Sequence, residues 1–113
     1  MIDVKTYLVD KLTIATSWPV YYEALYKPGT LPAITYKEVD NVDLYNGTTI
    51  SFSTLRYEIK IWAANMTDLI DKSAAIDAAL KMDGWSRYSG IELTRDGQLI
   101  KVLRYVATGY REV

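Results

Sequence analysis

The chain contains no histidine and no cysteine. Histidine is the commonest general base near neutral pH and the commonest metal ligand. Without it, and without a thiolate, the Ser–His and Cys–His nucleophilic arrangements and the usual zinc sites cannot be built within this chain. A disulfide framework is equally excluded. The chain also lacks an excess of one charge: 13 Lys and Arg stand against 14 Asp and Glu, a formal net charge of -1. That balance gives no general attraction to nucleic acid or to an acidic membrane surface. The 6 glycines are isolated, so no phosphate-cradling loop is expected. No apolar run approaches the roughly 18 residues of a membrane span. Met1-Ile2-Asp3-Val4-Lys5 lacks the basic start and continuous apolar run of a signal peptide. A soluble protein made in the cytoplasm is expected.

What is present begins with size. A chain of 113 residues suits one domain. A domain this long buries roughly 65% of the surface its unfolded chain exposes, enough for a core without staples. Tyrosine is abundant, 10 residues against a single phenylalanine. Its apolar body and polar tip suit protein interfaces. They also suit half-exposed strands.

The best-patterned stretch runs from Ser53 to Met82. Leu55, Tyr57, Ile59, Ile61 and Ala63 alternate with Arg56, Glu58, Lys60 and Trp62, which predicts a half-buried strand. A helix follows, capped by Asn65 or Thr67, with Asp68 in its first turn where the helix dipole favours an acid. Leu69, Ser73, Ile76 and Leu80 recur at helical spacing, and Gly84 is placed to end the helix in a left-handed cap.

The rest of the chain extends this unit. Asp3 can cap a first helix with Val4, Leu8, Leu12 and Ala15 on one face. Lys11 lies within that stripe and must snorkel. The helix should end near Ala15 to Ser17, because Pro19 disfavours helical geometry at Trp18. Pro19 to Leu25 reads as a strand, Lys27-Pro28-Gly29-Thr30 as a turn, and Ala33 to Val39 as a second strand, an antiparallel hairpin by its short link. Residues 40–52 are rich in turn formers and have no sustained period. They form either a projecting loop or a small hairpin closed by Asn46-Gly47. Ile91 to Thr94, the turn signal Asp96-Gly97, and a long strand from Gln98 to Tyr110 complete the chain. Both sides of that last strand are substantially apolar, so the side away from the helices invites a partner.

The order is therefore α-β-β-β-α-β-β. The fold class predicted is α+β, a mainly antiparallel sheet of about five strands with two helices on one face, in a single domain over 1–113. Chemistry is scarce. Asp40/Asp43 lack a calcium-loop pattern, and Asp68/Asp71 read as exposed first-turn helix charges. No catalytic residue, metal ligand or cofactor site is assigned. Arg56, Lys60, Lys101 and Arg104 could form a basic patch across two strands. They more naturally face acids such as Glu58 and Glu92, and no aromatic-rich RNA-binding signature accompanies them.

Three stretches carry a family resemblance: Pro19-Val20-Tyr21-Tyr22 followed by Leu31-Pro32-Ala33-Ile34-Thr35-Tyr36; Leu55 to Ala63; and the helix Asp68 to Met82 with the closing hairpin. In order and spacing they resemble the tail-completion or tail-terminator (tail-to-head joining) proteins of long-tailed bacteriophages. The likeness spans nearly the whole chain, although no single motif in it is a chemical signature. The resemblance implies a small α+β subunit of a six-membered ring that caps the tail tube, stops its polymerisation and joins it to the head connector. It implies no enzyme activity. The implied partners are further copies of the chain, a tail tube protein and a head connector or neck protein, with no membrane and no specific nucleic acid. The implied location is the virion tail or neck, after synthesis in the host bacterial cytoplasm. By analogy the segment around 40–52 reaches a neighbour. The candidate interaction residues are Asp43, Leu44, Tyr45, Thr48, Ile50 and Phe52, with Arg56 and Trp62 on the following strand. The alternatives are another neck or head-completion protein of the same virion, or a small module binding nucleic acid or a peptide.

Overall fold

The computed structural model describes residues 4–27, 31–46, 49–95 and 98–109. The Asp3 cap, the Pro28-Gly29-Thr30 turn, Thr48, the Asp96-Gly97 turn and Tyr110 lie outside the described residues. The elements are α1 (Val4–Thr16), β1 (Val20–Tyr22), a 3-10 turn (Glu23–Leu25), β2 (Ala33–Asn46), β3 (Thr49–Ala63), α2 (Met66–Met82), β4 (Ser86–Arg95) and β5 (Gln98–Gly109). The strands form one sheet in the order β1-β2-β3-β5-β4. The fold is α+β, in the predicted element order, with both helices on one face of the sheet.

Two local signals hold as read. The Asn65 side chain accepts the Asp68 backbone N–H at 2.9 Å and starts α2. Gly84 has a φ of +88°, a conformation glycine adopts without a Cβ penalty, and the following Trp85 N–H returns to the Leu80 carbonyl at 3.1 Å. At the end of α1, Ser17 takes a positive φ of 60° before Trp18 and Pro19. Lys11 reaches out of its apolar stripe to Asp83 at 3.0 Å.

One strand pairing differs from the expectation. β1 and β2 run parallel, with Val20 opposite Ile34 and Tyr22 opposite Tyr36. They are not a hairpin. The reason lies in β1, which stops at Tyr22 and gives way to the turn Glu23–Leu25. The link to β2 therefore begins earlier than the apolar run suggested, and it is long enough to carry the chain back alongside such a short strand. The other three pairings, β2–β3, β3–β5 and β5–β4, are antiparallel.

The sheet has two different faces. Toward the helices, Leu55, Tyr57, Ile59, Ile61 and Ala63 of β3 pack with Leu103 and Tyr105 of β5, Leu8 and Leu12 of α1, and Leu69, Ile76 and Leu80 of α2. This is the main core. On the opposite face Ala33, Trp62, Ile100 and Val102 form a smaller cluster, roofed at one end by Tyr21, Tyr26 and Leu31.

Among the described residues the β2–β3 hairpin outruns the rest of the sheet. Among these residues β5 pairs with β3 as far as Ser53, and β1 pairs with β2 at Ile34–Tyr36. The backbone pairs Leu44 with Phe52, Tyr45 with Ile50 and Asn46 with Thr49. Beyond Ser53 no third strand joins these pairs among the described residues. At about 3.3 Å per strand residue, β3 alone accounts for the long dimension of the molecule, 51 Å.

Candidate functional site

The face away from the helices carries the features that set this sheet apart, and its centre is ionic. Glu58 sits on β3 between β2 and β5, buried to 4% exposure. The Arg104 Nε–H donates to Glu58 Oε1 at 3.0 Å. The Lys37 ammonium lies 3.2 Å from Oε2, close enough for an ion pair. It is not aligned as a hydrogen bond, so that oxygen has no hydrogen-bond partner. Glu23, placed by the 3-10 turn, faces both Lys37 and Lys60. The result is a five-residue lattice of alternating charge across three strands and a turn.

Burial on its own would raise the Glu58 pKa. The hydrogen bond from Arg104, the close approach of Lys37 and the charges of Lys37 and Lys60 outweigh it and hold the carboxyl below the usual glutamate range. Lys37 is held above the usual lysine value, first by its contact with Glu58 and then by the charge of Glu23. Both groups are therefore charged at neutral pH. The other candidate cations are matched too. Arg56 pairs with Asp40 at 2.9 Å and Lys101 with Glu92 at 3.3 Å. The four basic residues weighed as a nucleic-acid patch thus each face an acid of their own chain.

Trp62 lies at the apolar end of this face. It is only 7% exposed, its indole N–H donates to Thr35 Oγ1 at 3.1 Å, and Tyr26 packs on it with ring centroids 4.7 Å apart. Of the other candidates, Arg56 stands on the same face two residues before Glu58. Asp43, Leu44, Tyr45, Ile50 and Phe52 belong to the outer β2–β3 hairpin, where only the backbone register is described. The structure thus places Arg56 and Trp62 on one face of β3 and the remaining strand positions at the hairpin's end, with Thr48 outside the described residues.

Alternation along the chain did not single out β4. Tyr88, Ile91 and Leu93 are 47%, 45% and 48% exposed on this edge strand. The available signal was composition: Ser86–Arg95 contains neither proline nor lysine, the residues that commonly guard a sheet edge.

The helix side holds two further polar clusters and a groove. Asp77 of α2 accepts from Tyr105 Oη at 2.9 Å and from Arg87 Nε at 3.1 Å, and pairs with Lys81 at 2.9 Å. Burial favours its neutral form. The contacts of Lys81 and Tyr105 and the charge of Arg87 prevail and lower its pKa. Tyr105 is pushed well above the ordinary tyrosine value, by burial first and the Asp77 carboxylate second. Near the ends of the helices the Tyr7 hydroxyl donates to Asp83, which Lys11 also contacts. A groove of about 270 Å³ runs between α2 and β4–β5, floored by Leu69 and Leu103 and walled by Asp77, Arg87, Glu92 and Lys101. Its charged walls are already paired within the chain. Among the described residues, no group of three or more Asp or Glu side chains could hold a metal ion. No helix among them is long and apolar enough to cross a membrane.

No protein-family model matches this chain. No curated protein matches it either. A solved structure does: the chain is similar to one in the virion of a native gene transfer agent particle, with a TM-score of 0.62 and 16% sequence identity over 87% of this chain and 84% of that one. At that identity the likeness is one of fold, and the α+β sheet described above is what the two chains share.

Proposed function

We propose that this chain is a structural virion protein of the tail-terminator or tail-completion kind. It acts as a single-domain subunit of a six-membered ring that caps the tail tube, stops its growth and joins it to the head connector. The observation that carries the proposal is the fold likeness to a chain of a gene transfer agent virion, which extends over 87% of this chain and 84% of the other. The order and spacing of the three stretches that resemble tail-completion proteins support the same role, as does a sequence without histidine or cysteine. The work of such a protein is done by shape and contact, with no catalysis and no cofactor. It would be made in the cytoplasm of the bacterial host and reside in the virion neck. Asp43, Leu44, Tyr45, Thr48, Ile50 and Phe52 at the end of the β2–β3 hairpin, with Arg56, are the proposed contacts to a ring neighbour or a tube subunit. Trp62, beneath Tyr26 at the opposite end of β3, would back a separate contact.

The test is light scattering of the purified protein, alone and mixed with the tube protein of the same virion, followed by electron microscopy. A ring at the tube end is expected. A strict monomer that never binds tubes removes the proposal. Deleting the gene from the infectious genome separates the terminator role from another neck role. Loss of a terminator leaves tails of uncontrolled length. Tails of normal length without heads identify a head-completion protein instead.

A further inference from the structure

Among the described residues both sides of the sheet end in open backbone. β4 is the last strand on one side and, among these residues, pairs with β5 alone. On the other side β1 covers β2 at Ile34–Tyr36 alone, so β2 from Glu38 to Asn46 has no neighbour there among the described residues. An open edge presents a row of unpaired N–H and C=O groups, and folded proteins normally guard it with proline, lysine, a bulge or a very short strand. β4 has one irregularity between Arg87 and Ser89 but is otherwise 10 residues long and unguarded, while the β2 edge carries irregularities at Glu38/Asp40 and Leu44/Tyr45 with a regular stretch between them.

The apolar pattern runs out to this edge. On the face away from the helices Trp62 stands opposite Ile100 and Ile100 opposite Leu93, while Val102 stands opposite Ile91. Ile100 and Val102 are buried, at 3% and 5% exposure, but Leu93 and Ile91 are left about half exposed. One more strand beside β4 would finish the row.

The chain itself carries a strand of matching length and opposite charge. Glu38–Asn46 holds Glu38, Asp40 and Asp43 and no basic residue, a net charge of -3. Ser86–Arg95 holds Arg87 and Arg95 against Glu92, a net charge of +1. Joining two β2 edges would gather acids from both copies, and joining two β4 edges would leave both β2 edges bare. Joining β4 to β2 satisfies each edge and sets the acidic edge against the more basic one, a weak bias because Glu38, Asp40, Arg87 and Glu92 already have partners in their own chain.

We infer that Ser86–Arg95 of one copy adds as a strand to Glu38–Asn46 of a second copy of this chain. The contact is head to tail, so a joined pair keeps one free edge of each kind, and the arrangement repeats until it closes into a ring or runs on as a filament. The inference deepens the ring proposed above and rests on it for closure. The contact itself is tested without tube or connector protein, so its failure leaves the capping of tubes a separate question.

Two variants decide it. Ile91→Asp/Leu93→Asp puts acids on the β4 edge. Val39→Lys/Asp43→Lys cancels the acidic excess of the β2 edge and adds the residue that guards edges. Each is checked for an unchanged far-UV circular dichroism spectrum and then sized by chromatography with light scattering. The unmodified chain is expected as an assembly larger than a dimer, and each variant alone as a monomer. An equimolar mixture of the two should stop at the heterodimer, because only one good edge of each kind remains. A mixture that stays monomeric overturns the inference. So does a β2 variant that dimerises alone, which would mean that β4 pairs with β4. Amide hydrogen exchange on the unmodified chain gives a second readout that needs no substitution. Protection at 86–95 and 38–46 should rise together with protein concentration, and an unmodified chain that is monomeric with unchanged protection at both edges refutes the contact.

Discussion

Glu58→Gln is the sharpest test of the ionic lattice on the sheet. The substitution keeps the size of the side chain and removes its charge. Lys37 and Arg104 then lose the carboxylate that both approach, at 3.2 and 3.0 Å. Removing one partner of a buried ion pair destabilises by about 3–5 kcal/mol when the abandoned charge is sealed from water. Here it is not sealed, since the Lys37 and Arg104 side chains are 43% and 42% exposed and can recover hydration. The amide oxygen of glutamine can also keep part of the Arg104 hydrogen bond. A loss of about 2 kcal/mol is therefore expected, within the range for hydrogen bonds that involve charged groups.

Urea unfolding followed by circular dichroism at neutral pH measures that gap directly. Its pH dependence carries the cause. The folded pKa of Glu58 lies below its unfolded value. The stability it contributes is thus fully present above the unfolded value, about 4.3 for a free glutamate, and is lost as pH falls through the folded one. Once Glu58 is protonated it resembles glutamine, so the gap between the two proteins should close on acidification. A gap that stays constant from pH 5 to the lowest pH at which the fold survives would refute the electrostatic account. A variant as stable as the unmodified chain at pH 7 would refute the lattice as a source of stability.

Three further outcomes follow from single contacts. Asn65→Ala removes the cap of α2 and should destabilise by about 1 kcal/mol in the same urea titration, whereas Thr67→Ala, which the Asn65 cap makes dispensable, should change little. A Cβ at Gly90 would sit 2.6 Å from Arg87 Nη1. Gly90→Ala should therefore displace Arg87 from Asp77, and a double-mutant cycle with Arg87→Ala should show coupling, with Gly90→Ala harmless once Arg87 is gone. Tyr105 has a folded pKa above its unfolded value. Its contribution is present below the unfolded value, near 10, and is lost as pH rises beyond it. Alkaline unfolding should begin earlier for the unmodified chain than its neutral stability suggests, and Tyr105→Phe should flatten that alkaline decline.

The scaffold was legible where local pattern and tertiary demand agree. Leu55, Tyr57, Ile59, Ile61 and Ala63 alternate in sequence and are all buried. Asn65 and Gly84 bound α2 by capping chemistry that operates within a few residues. Legibility failed where a contact comes from far along the chain. Val20–Leu25 contains no residue that breaks a strand, yet the chain turns at Glu23. The carboxylate there faces Lys37 and Lys60, 14 and 37 positions further on. Trp62 fell in the outward set of β3, and it is buried because Tyr26 folds back over it. The candidate interaction residues were legible only as a region, through turn formers and scattered apolar residues. Exposed positions on β4 were missed because an apolar residue on an edge looks the same in sequence as one in a core.

The two kinds of surface on the outer face constrain where a partner can settle. A partner laid flat over the centre would strip water from Lys37, Arg104 and Lys60 while offering them no new acid. The charges there are already paired, so that desolvation would go largely uncompensated. At the sheet edges the balance reverses. Edge backbone groups there have no strand partner among the described residues, Leu93 and Ile91 are half exposed, and burying them removes apolar area from water at about 25 cal/mol per Å². The lattice around Glu58 thus does more than hold three strands together. It makes the middle of the face a poor place to bind, which is why the proposed contacts fall on the edges and on the hairpin.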